Sequence, residues 1–385
     1  MKTINFLDLF CGCGGLSEYF LTDKKYNAIG FVDNDPHCIN TVKHRLQKLK
    51  IRNAEELSIL GDIQNSNIDN LIKKNLGNKR LDLIIGGPPC QAYSIAGRIR
   101  DKDGMKNDYR NFLFESYLRI VKKFQPKVFL IENVPGILSA APDGTYIKDR
   151  ISKDIQKIGY VCSNTFETCL FDLSEFGIPQ KRKRVFILGV NKKIKNCSNL
   201  LFNFYQELLN IPKTSLNVEE AIGDLPKLYP LKKNQLSPKQ SHSSSKFQDH
   251  TPRFHNERDI KIFGLLAKDI EDKKFKFTST KNLMKLYETV VGKKSNIHKY
   301  YVLRKDEPSN LIPAHLYKDG LRHIHYDSKQ ARSITVREAA RLQSFPDDFD
   351  FIAPKTEQYK MIGNAVPALF SNHLKDILLK IISDS

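Results

Sequence analysis

The chain has 385 residues, 40% of them hydrophobic and 27% charged. At about 100 to 200 residues per domain this implies two or three domains and excludes a peptide, a disulfide-stapled mini-domain and a disordered tail. No apolar run approaches the roughly 18 residues that cross a bilayer, and the N-terminus lacks a basic start followed by an apolar segment, so a cytoplasmic protein with no membrane partner is expected. The formal charge of +19 points to a polyanion, either nucleic acid or an anionic surface. Seven cysteines, an odd number without a CxxC pair or a histidine at finger spacing, predict free thiols and no metal site.

The charge is unevenly placed. Residues 191–330 hold 26 basic and 15 acidic side chains, seven of the ten histidines and a Ser-rich stretch at 237–245. With little periodicity, this block reads as a separate, smaller, loop-rich domain. The first 190 residues instead alternate short β-type runs, at 4–9, 29–32, 81–85, 128–131 and 185–188, with helical stripes. Ile39, Val42, Leu46 and Leu49 fall on one face behind an Asp35 cap and Pro36. Phe114, Tyr117, Leu118, Val121 and Phe124 form a second stripe, and Ile147, Ile151, Ile155 and Ile158 a third. An amphipathic segment from Val366 to Ile381 is expected to return to the first domain. The fold class is therefore α/β, with a doubly wound, mostly parallel sheet.

In such a sheet ligands bind beyond the carboxyl ends of the strands, and the loops there carry unusual residues. After the first strand comes Phe10-Cys11-Gly12-Cys13-Gly14-Gly15, whose glycines let backbone approach a ligand closely. The spacing lacks the GxGxxG of a dinucleotide site, so a tight structural turn is an equal reading. Asp33-Asn34-Asp35 offers an acceptor for a ribose diol or a helix cap, the cap suiting Asp35 better. Gly61-Asp62-Ile63 adds an acid that is equally a turn residue.

The next loop, Gly86-Gly87-Pro88-Pro89-Cys90-Gln91, holds a thiol on a stiff turn that is poorly placed for core packing; the plain alternative is an inert buried cysteine. Residues 91–111 include Arg98, Arg100, Lys102, Lys106 and Arg110, a basic loop able to close over a polyanion or else a solvated surface. Glu132, directly after a buried strand, faces desolvation that favours its neutral, proton-donating form unless a cation pairs it. Alternation puts Gln180, Arg182 and Arg184 on one face, which aims guanidiniums into a shared site or marks a charged edge strand.

Taken together and in this order, these segments resemble the DNA (cytosine-5) methyltransferase family, in its prokaryotic modification-methylase form. The resemblance spans the chain: FLDLFCGCGG at 6–15, Asp33, GDI at 61–63, GGPPCQAYS at 86–94, ENV at 132–134, FGIPQKRKRVF at 176–186, RSITVREAARLQSFP at 332–346 and GNAVP at 363–367. It implies S-adenosylmethionine as cofactor, wrapped by Phe10, Gly12 and Gly14, with Asp33 on its ribose hydroxyls and Asp62 on its adenine amino group. Ile63, Pro89 and Asn364 would complete that pocket. It implies Cys90 as nucleophile, Glu132 as acid, and Arg182 and Arg184 as the arginines of QxRxR.

The resemblance also implies a division of the chain. Residues 1–190, completed by 355–385, would carry catalysis and cofactor, and residues 191–354 the target-recognition domain and hinge. Gln91, Ser94 and Arg98 would touch DNA from the loop, and Arg304 and Arg322 from the second domain, where His298, Tyr300, Tyr301, His315, His323 and His325 are further candidates for base contact. Double-stranded DNA is the expected partner, with a paired restriction endonuclease and a monomeric enzyme. Two positions depart from the family's habit: Asn111 follows Arg110 where Gly is frequent, and Tyr93 stands where Phe is commoner. Both concern the basic loop.

The mechanism this implies begins with covalent addition, because carbon 5 of cytosine is too weak a nucleophile until carbon 6 is attacked. A thiol is only a few per cent ionised at neutral pH, so positive charge such as that of Arg184 would help Cys90. Glu132 would donate a proton to ring nitrogen 3, and the base would have to leave the duplex stack. Rival readings are a tRNA cytosine methyltransferase, against which the basic 191–330 block weighs, a non-catalytic DNA-binding protein on the same scaffold, and a nicotinamide-dependent dehydrogenase, disfavoured by the missing GxGxxG.

Overall fold

The computed structural model describes residues 3–89, 112–141, 144–232, 240–294, 300–318 and 320–385. Eight strands form one sheet: β1 (Ile4–Leu9), β2 (Tyr26–Asp33), β3 (Ser58–Leu60), β4 (Leu83–Gly86), β5 (Val128–Asn133), β6 (Tyr160–Val161), β7 (Leu170–Asp172) and β8 (Lys183–Asn191). The order is β3-β2-β1-β4-β5-β8-β6, with β7 also on β8. All six residues of β1 and all four of β4 are buried, as befits parallel strands covered by helices on both faces. The chain runs outward from β1 through β2 to β3 and, in the other direction, from β4 to β5. The ends of β1 and β4 thus form the switch point where such sheets open a crevice.

The strand that matters most for function runs the other way. β8 is antiparallel to β5, with Glu132 opposite Phe186 and Asn133 opposite Val185. Only an antiparallel neighbour places its first residues, Lys183 and Arg184, at the edge where the parallel strands end.

Helices follow the expected stripes. Pro36–Lys48 begins with the Asp35 side chain accepting from His37 N, and buries Ile39, Val42 and Leu46. Phe112–Phe124 and Ile147–Lys157 cover the other flank. The closing helix, Ala368–Ser383, returns to the sheet: Phe370 packs 4.7 Å from Phe186 and 5.2 Å from Phe176, ring centre to ring centre.

The sheet's core extends past residue 190. Helix Cys197–Leu209 buries Leu200, Phe204, Tyr205 and Leu208 in the sheet's own core, and the Tyr205 hydroxyl donates to Phe186 O and accepts from Leu188 N. Beyond it lie two clusters rather than one. Helices Glu257–Glu271 and Thr280–Val291 enclose a small core with Val302, Ile324 and Ala331. Residues from Val218 to Leu225 and Ile334 to Ala368 form another, which also takes Cys13 and Cys38 from the first half. Much of 331–354 therefore packs with the glycine turn rather than with the helix pair, because its apolar side chains face that way.

Candidate active site

A cavity of about 520 Å³ opens at the switch point. On one side is the turn after β1, which leaves the strand in left-handed conformation at Phe10 (φ 56°) and Gly12 (φ 52°). Gly12 N donates to Asp33 Oδ2 at 2.9 Å, and Asp33 Oδ1 accepts from Asp35 N. Asp33 thus ties the turn to the end of β2, while the helix cap belongs to Asp35. Burial pushes the Asp33 carboxyl upward against these N–H bonds, which lower it. Gly14 (φ 89°) does not line the cavity; it faces Val42 and Ser17. The lining glycine is Gly15, where a Cβ would meet Val366 O at 2.4 Å, so this position sets how closely the C-terminal segment can approach.

Phe10, Gly12, Asp33, Asp62, Ile63, Pro89 and Asn364 all line this cavity, so sequence-distant loops converge as expected. Asp62 also accepts from Gln64 N, so this cavity-lining acid is a turn residue as well. One lining residue escaped the sequence reading. Asp8, on β1, is fully buried, with the Ser17 hydroxyl beside its carboxyl. Burial pushes the carboxyl up to about 8, against the Ser17 hydroxyl, which lowers it, and with the Asp33 charge adding to the rise. The signal was present in the sequence as an acid between two leucines in a strand of mostly apolar residues.

The opposite wall is Gly87, Pro88, Pro89, Glu132, Asn133, Arg182 and Arg184. Asn133 Nδ2 donates to Pro88 O at 3.1 Å, fixing the Pro-Pro turn against the end of β5. Arg184 Nε lies 2.7 Å from Glu132 Oε1, with both side chains only slightly exposed. A cation therefore does pair Glu132. The two arginines differ. Arg182 is buried, and its terminal nitrogens donate to Gln180 Oε1, Ile312 O, Gly363 O and Ala365 O. It joins three segments of the chain, while Arg184 holds the acid.

Cys90, Gln91, Ser94, Arg98 and His298 lie outside the described residues. Arg304 and Arg322 do not line the cavity. The expectation that His323 and His325 read bases is corrected: they are 1% and 2% exposed. His323 Nε2 is bonded to Leu311 O, and His325 Nδ1 accepts from Asp327 N.

A family model for C-5 cytosine-specific DNA methylases matches residues 4–380. The chain belongs to the C-5 cytosine-specific DNA methylase family. Among curated proteins this methylase is 34% identical to the Type II methyltransferase M.Bpa9945I of Bacillus paralicheniformis, covering 95% of this chain and 96% of that one. It is 30% identical to the Type II methyltransferase M.DdeI of Desulfomicrobium norvegicum, over 97% and 88%. Solved structures share the fold. A candidate DNA modification methyltransferase encoded within an E. coli prophage has a TM-score of 0.66 at 23% identity, covering 99% of this chain and all of that one. The Dnmt2 methyltransferase of S. pombe has 0.57 at 15%, covering 99% of both.

As a member of this family the methylase acts on carbon 5 of cytosine in DNA, with S-adenosylmethionine as methyl donor. The cavity fits that cofactor. Asp33 presents an acceptor suited to a diol, and the buried Asp8 carboxyl would ionise beside a ligand that brings positive charge. Gly15 lets the segment of Asn364 close against the turn.

Proposed function

We infer that the methylase is the modification enzyme of a Type II restriction-modification system, acting through a covalent Cys90 adduct on a cytosine flipped out of one specific duplex sequence. One observation carries the reading: Glu132, Arg184 and Pro89, the residue next to Cys90, share a single cavity with Phe10 and Asp33. The base and the methyl donor therefore meet in one chamber. Phe10, Gly12, Asp33, Asp62, Ile63, Pro89 and Asn364 would hold S-adenosylmethionine, which would supply an electrophilic methyl group. The chain's own residues do the rest.

The Cys90 thiolate adds to carbon 6 of cytosine as Glu132, held at Oε1 by Arg184, binds nitrogen 3 through Oε2 and passes to it a proton taken up from solvent with the base. Carbon 5, now nucleophilic, would take the methyl group as the methyl–sulfur bond of the donor breaks and S-adenosylhomocysteine leaves. Water then removes the carbon 5 proton, which re-forms the ring double bond and expels the Cys90 thiolate, and the nitrogen 3 proton returns to Glu132. Arg182 positions this wall by tying the strand of Arg184 to Gly363 and Ala365. Gln91, Ser94 and Arg98 hold the DNA beside the flipped base, while residues from about 218 to 330, Arg304 and Arg322 included, choose the sequence. Because both walls come from one chain, the enzyme works as a monomer. Its partners are duplex DNA and, indirectly, an endonuclease of the same specificity, in the cytoplasm where the chromosome is accessible. Among the described residues no helix is long and apolar enough to cross a membrane.

The test is trapping. Duplex DNA carrying 5-fluorocytosine at the target forms a stable adduct with the enzyme, since fluorine blocks the elimination, and Cys90→Ser forms none while still binding DNA. An active enzyme that gives no adduct removes Cys90 from the role. Transfer to tRNA in preference to duplex DNA would overturn the substrate.

A further inference from the structure

The loop between helices Glu257–Glu271 and Thr280–Val291, residues 272–279, runs Asp-Lys-Lys-Phe-Lys-Phe-Thr-Ser. Two of its non-glycine residues, Lys273 (φ 54°) and Phe275 (φ 51°), are left-handed, a conformation that L side chains adopt only when their surroundings enforce it. What enforces it is the buried Asp269. Its carboxylate accepts from Lys276 N and Phe277 N, each at 3.0 Å, and its carbonyl accepts from Lys274 N. Asn282 Nδ2 closes the loop by donating to Lys276 O at 2.6 Å.

The conformation so enforced holds a phenyl ring in water: Phe275 is 50% exposed. A second exposed ring, Tyr301, shares with it the Arg304 guanidinium, which lies 5.6 Å from the Phe275 centroid and 5.7 Å from that of Tyr301. Arg304 Nη1 is covered yet has no hydrogen-bond partner among the described residues. Tyr301 is itself anchored, since its backbone N donates to Leu321 O and its carbonyl accepts from Ile324 N. A few residues further on, Ser309 N donates to Pro179 O and Ile312 N to Gln180 Oε1, so the strap that carries Tyr301 and Arg304 docks on the segment that leads into Arg184.

A rigid basic turn that exposes an aromatic ring has no use in packing. Contact with two rings restricts the Arg304 guanidinium; with Nη1 covered, its Nε–Nη2 edge would be the one to pair with the two acceptors of guanine in the major groove. Lysines on the same turn suit the neighbouring phosphates. We propose that Phe275, Arg304 and Tyr301 form a base-contacting point on duplex DNA that sets part of this enzyme's target sequence, Arg304 reading a guanine and Lys273 and Lys276 holding the backbone. This rests on the reading that the region from about 218 to 330 chooses the sequence.

The experiment compares binding of the full-length enzyme to its cognate duplex, identified by sequencing methylated cytosines from expressing cells, with binding to an unrelated duplex of equal length. Phe275→Gly removes the ring and relieves the left-handed residue, so folding is protected; Arg304→Lys keeps the charge and loses the fork. Each lowers cognate affinity about ten-fold or more, with affinity for the unrelated duplex and for S-adenosylmethionine unchanged. Lys273→Ala and Lys276→Ala weaken both duplexes alike and reduce the salt dependence of binding. A ratio of cognate to unrelated affinity that stays within two-fold in both Phe275→Gly and Arg304→Lys overturns the contact point. A loss that falls equally on both duplexes overturns it too, by reducing the cluster to general phosphate affinity. Exchanging residues 218–330 for those of a relative reports separately: if the methylated sequence changes while the two point variants do nothing, the region chooses the sequence through other residues.

Discussion

Arg184 Nε meets Glu132 Oε1 at 2.7 Å as a diagonal pair across antiparallel strands, because Glu132 stands opposite Phe186, two residues beyond Arg184 on the same face. The pair fixes which carboxylate oxygen remains for the substrate. Next to it, a Cβ at Gly87 would lie 2.9 Å from Glu132 Oε2 and push that oxygen from its place.

The first prediction concerns that pair. Arg184→Ala frees Glu132 to rotate and removes positive charge from the wall beside Pro89, so methyl transfer under saturating substrates falls by about 10² to 10⁴. Arg184→Lys keeps a charge without the side-on N–H and recovers only part of this. Calorimetry should show S-adenosylmethionine binding unchanged in both, since Arg184 stands on the wall of the cavity opposite Asp33.

Asp8 supports a prediction with a definite sign. Its carboxyl rises from 3.8 to about 8 on folding, so between those values the folded chain holds a proton that the unfolded chain has lost. Stability of the cofactor-free enzyme therefore falls as pH climbs from about 4 to about 8 on account of this group. Asp8→Asn removes that slope, and its melting temperature at pH 8 exceeds the parent's in thermal scans. The same substitution weakens binding of S-adenosylmethionine, whose sulfonium is positive, more than binding of the neutral-sulfur product S-adenosylhomocysteine.

Gly15→Ala should act through packing. The added methyl group meets the Val366 carbonyl at 2.4 Å and Ala365 Cβ at 3.1 Å, which forces the closing segment away from the glycine turn. A loss of about 1–3 kcal/mol in urea unfolding is expected, together with weaker cofactor binding because Asn364 moves with that segment. Equal stability would show that the closure has slack.

Acid should unpick the middle of the molecule. Burial lowers His242 and His323 to about 4, and His255 and His325 to about 3. His255 Nε2 accepts from Ser333 N, and His325 Nδ1 accepts from Asp327 N, so both rings must be neutral to keep these bonds. The unfolded chain takes up protons at these positions below about pH 6.5 while the folded one does not. Their contribution is complete well above pH 6.5 and is lost progressively as pH falls toward 4 for His242 and His323 and toward 3 for His255 and His325. Hydrogen exchange should show protection around Ser333 declining across that window, and His255→Gln, which retains an acceptor, should flatten it.

Residue order alone settled the strands that build the crevice and the loops that reach it, because buried parallel strands must be apolar runs and ligands must bind where they end. It also revealed the family, since glycine turn, Pro-Pro-Cys, Glu-Asn-Val and Gln-Lys-Arg-Lys-Arg recur in one order along the chain. What it left open was decided by long-range contact. Arg182 and Arg184 look equivalent in sequence, yet one is buried among the carbonyls of Ile312, Gly363 and Ala365 while the other meets Glu132. His323 and His325 look like surface readers in a basic block but sit in the core, because backbone from Leu311 and Asp327 satisfies their rings. Asp8 reads as one acid in a strand until the fold places it, buried, against the cavity. Burial and hydrogen bonding belong to pairs of groups far apart in the chain, and these partners, from 130 to 183 residues away for Arg182, come together only when the sheet and the closing helix have packed.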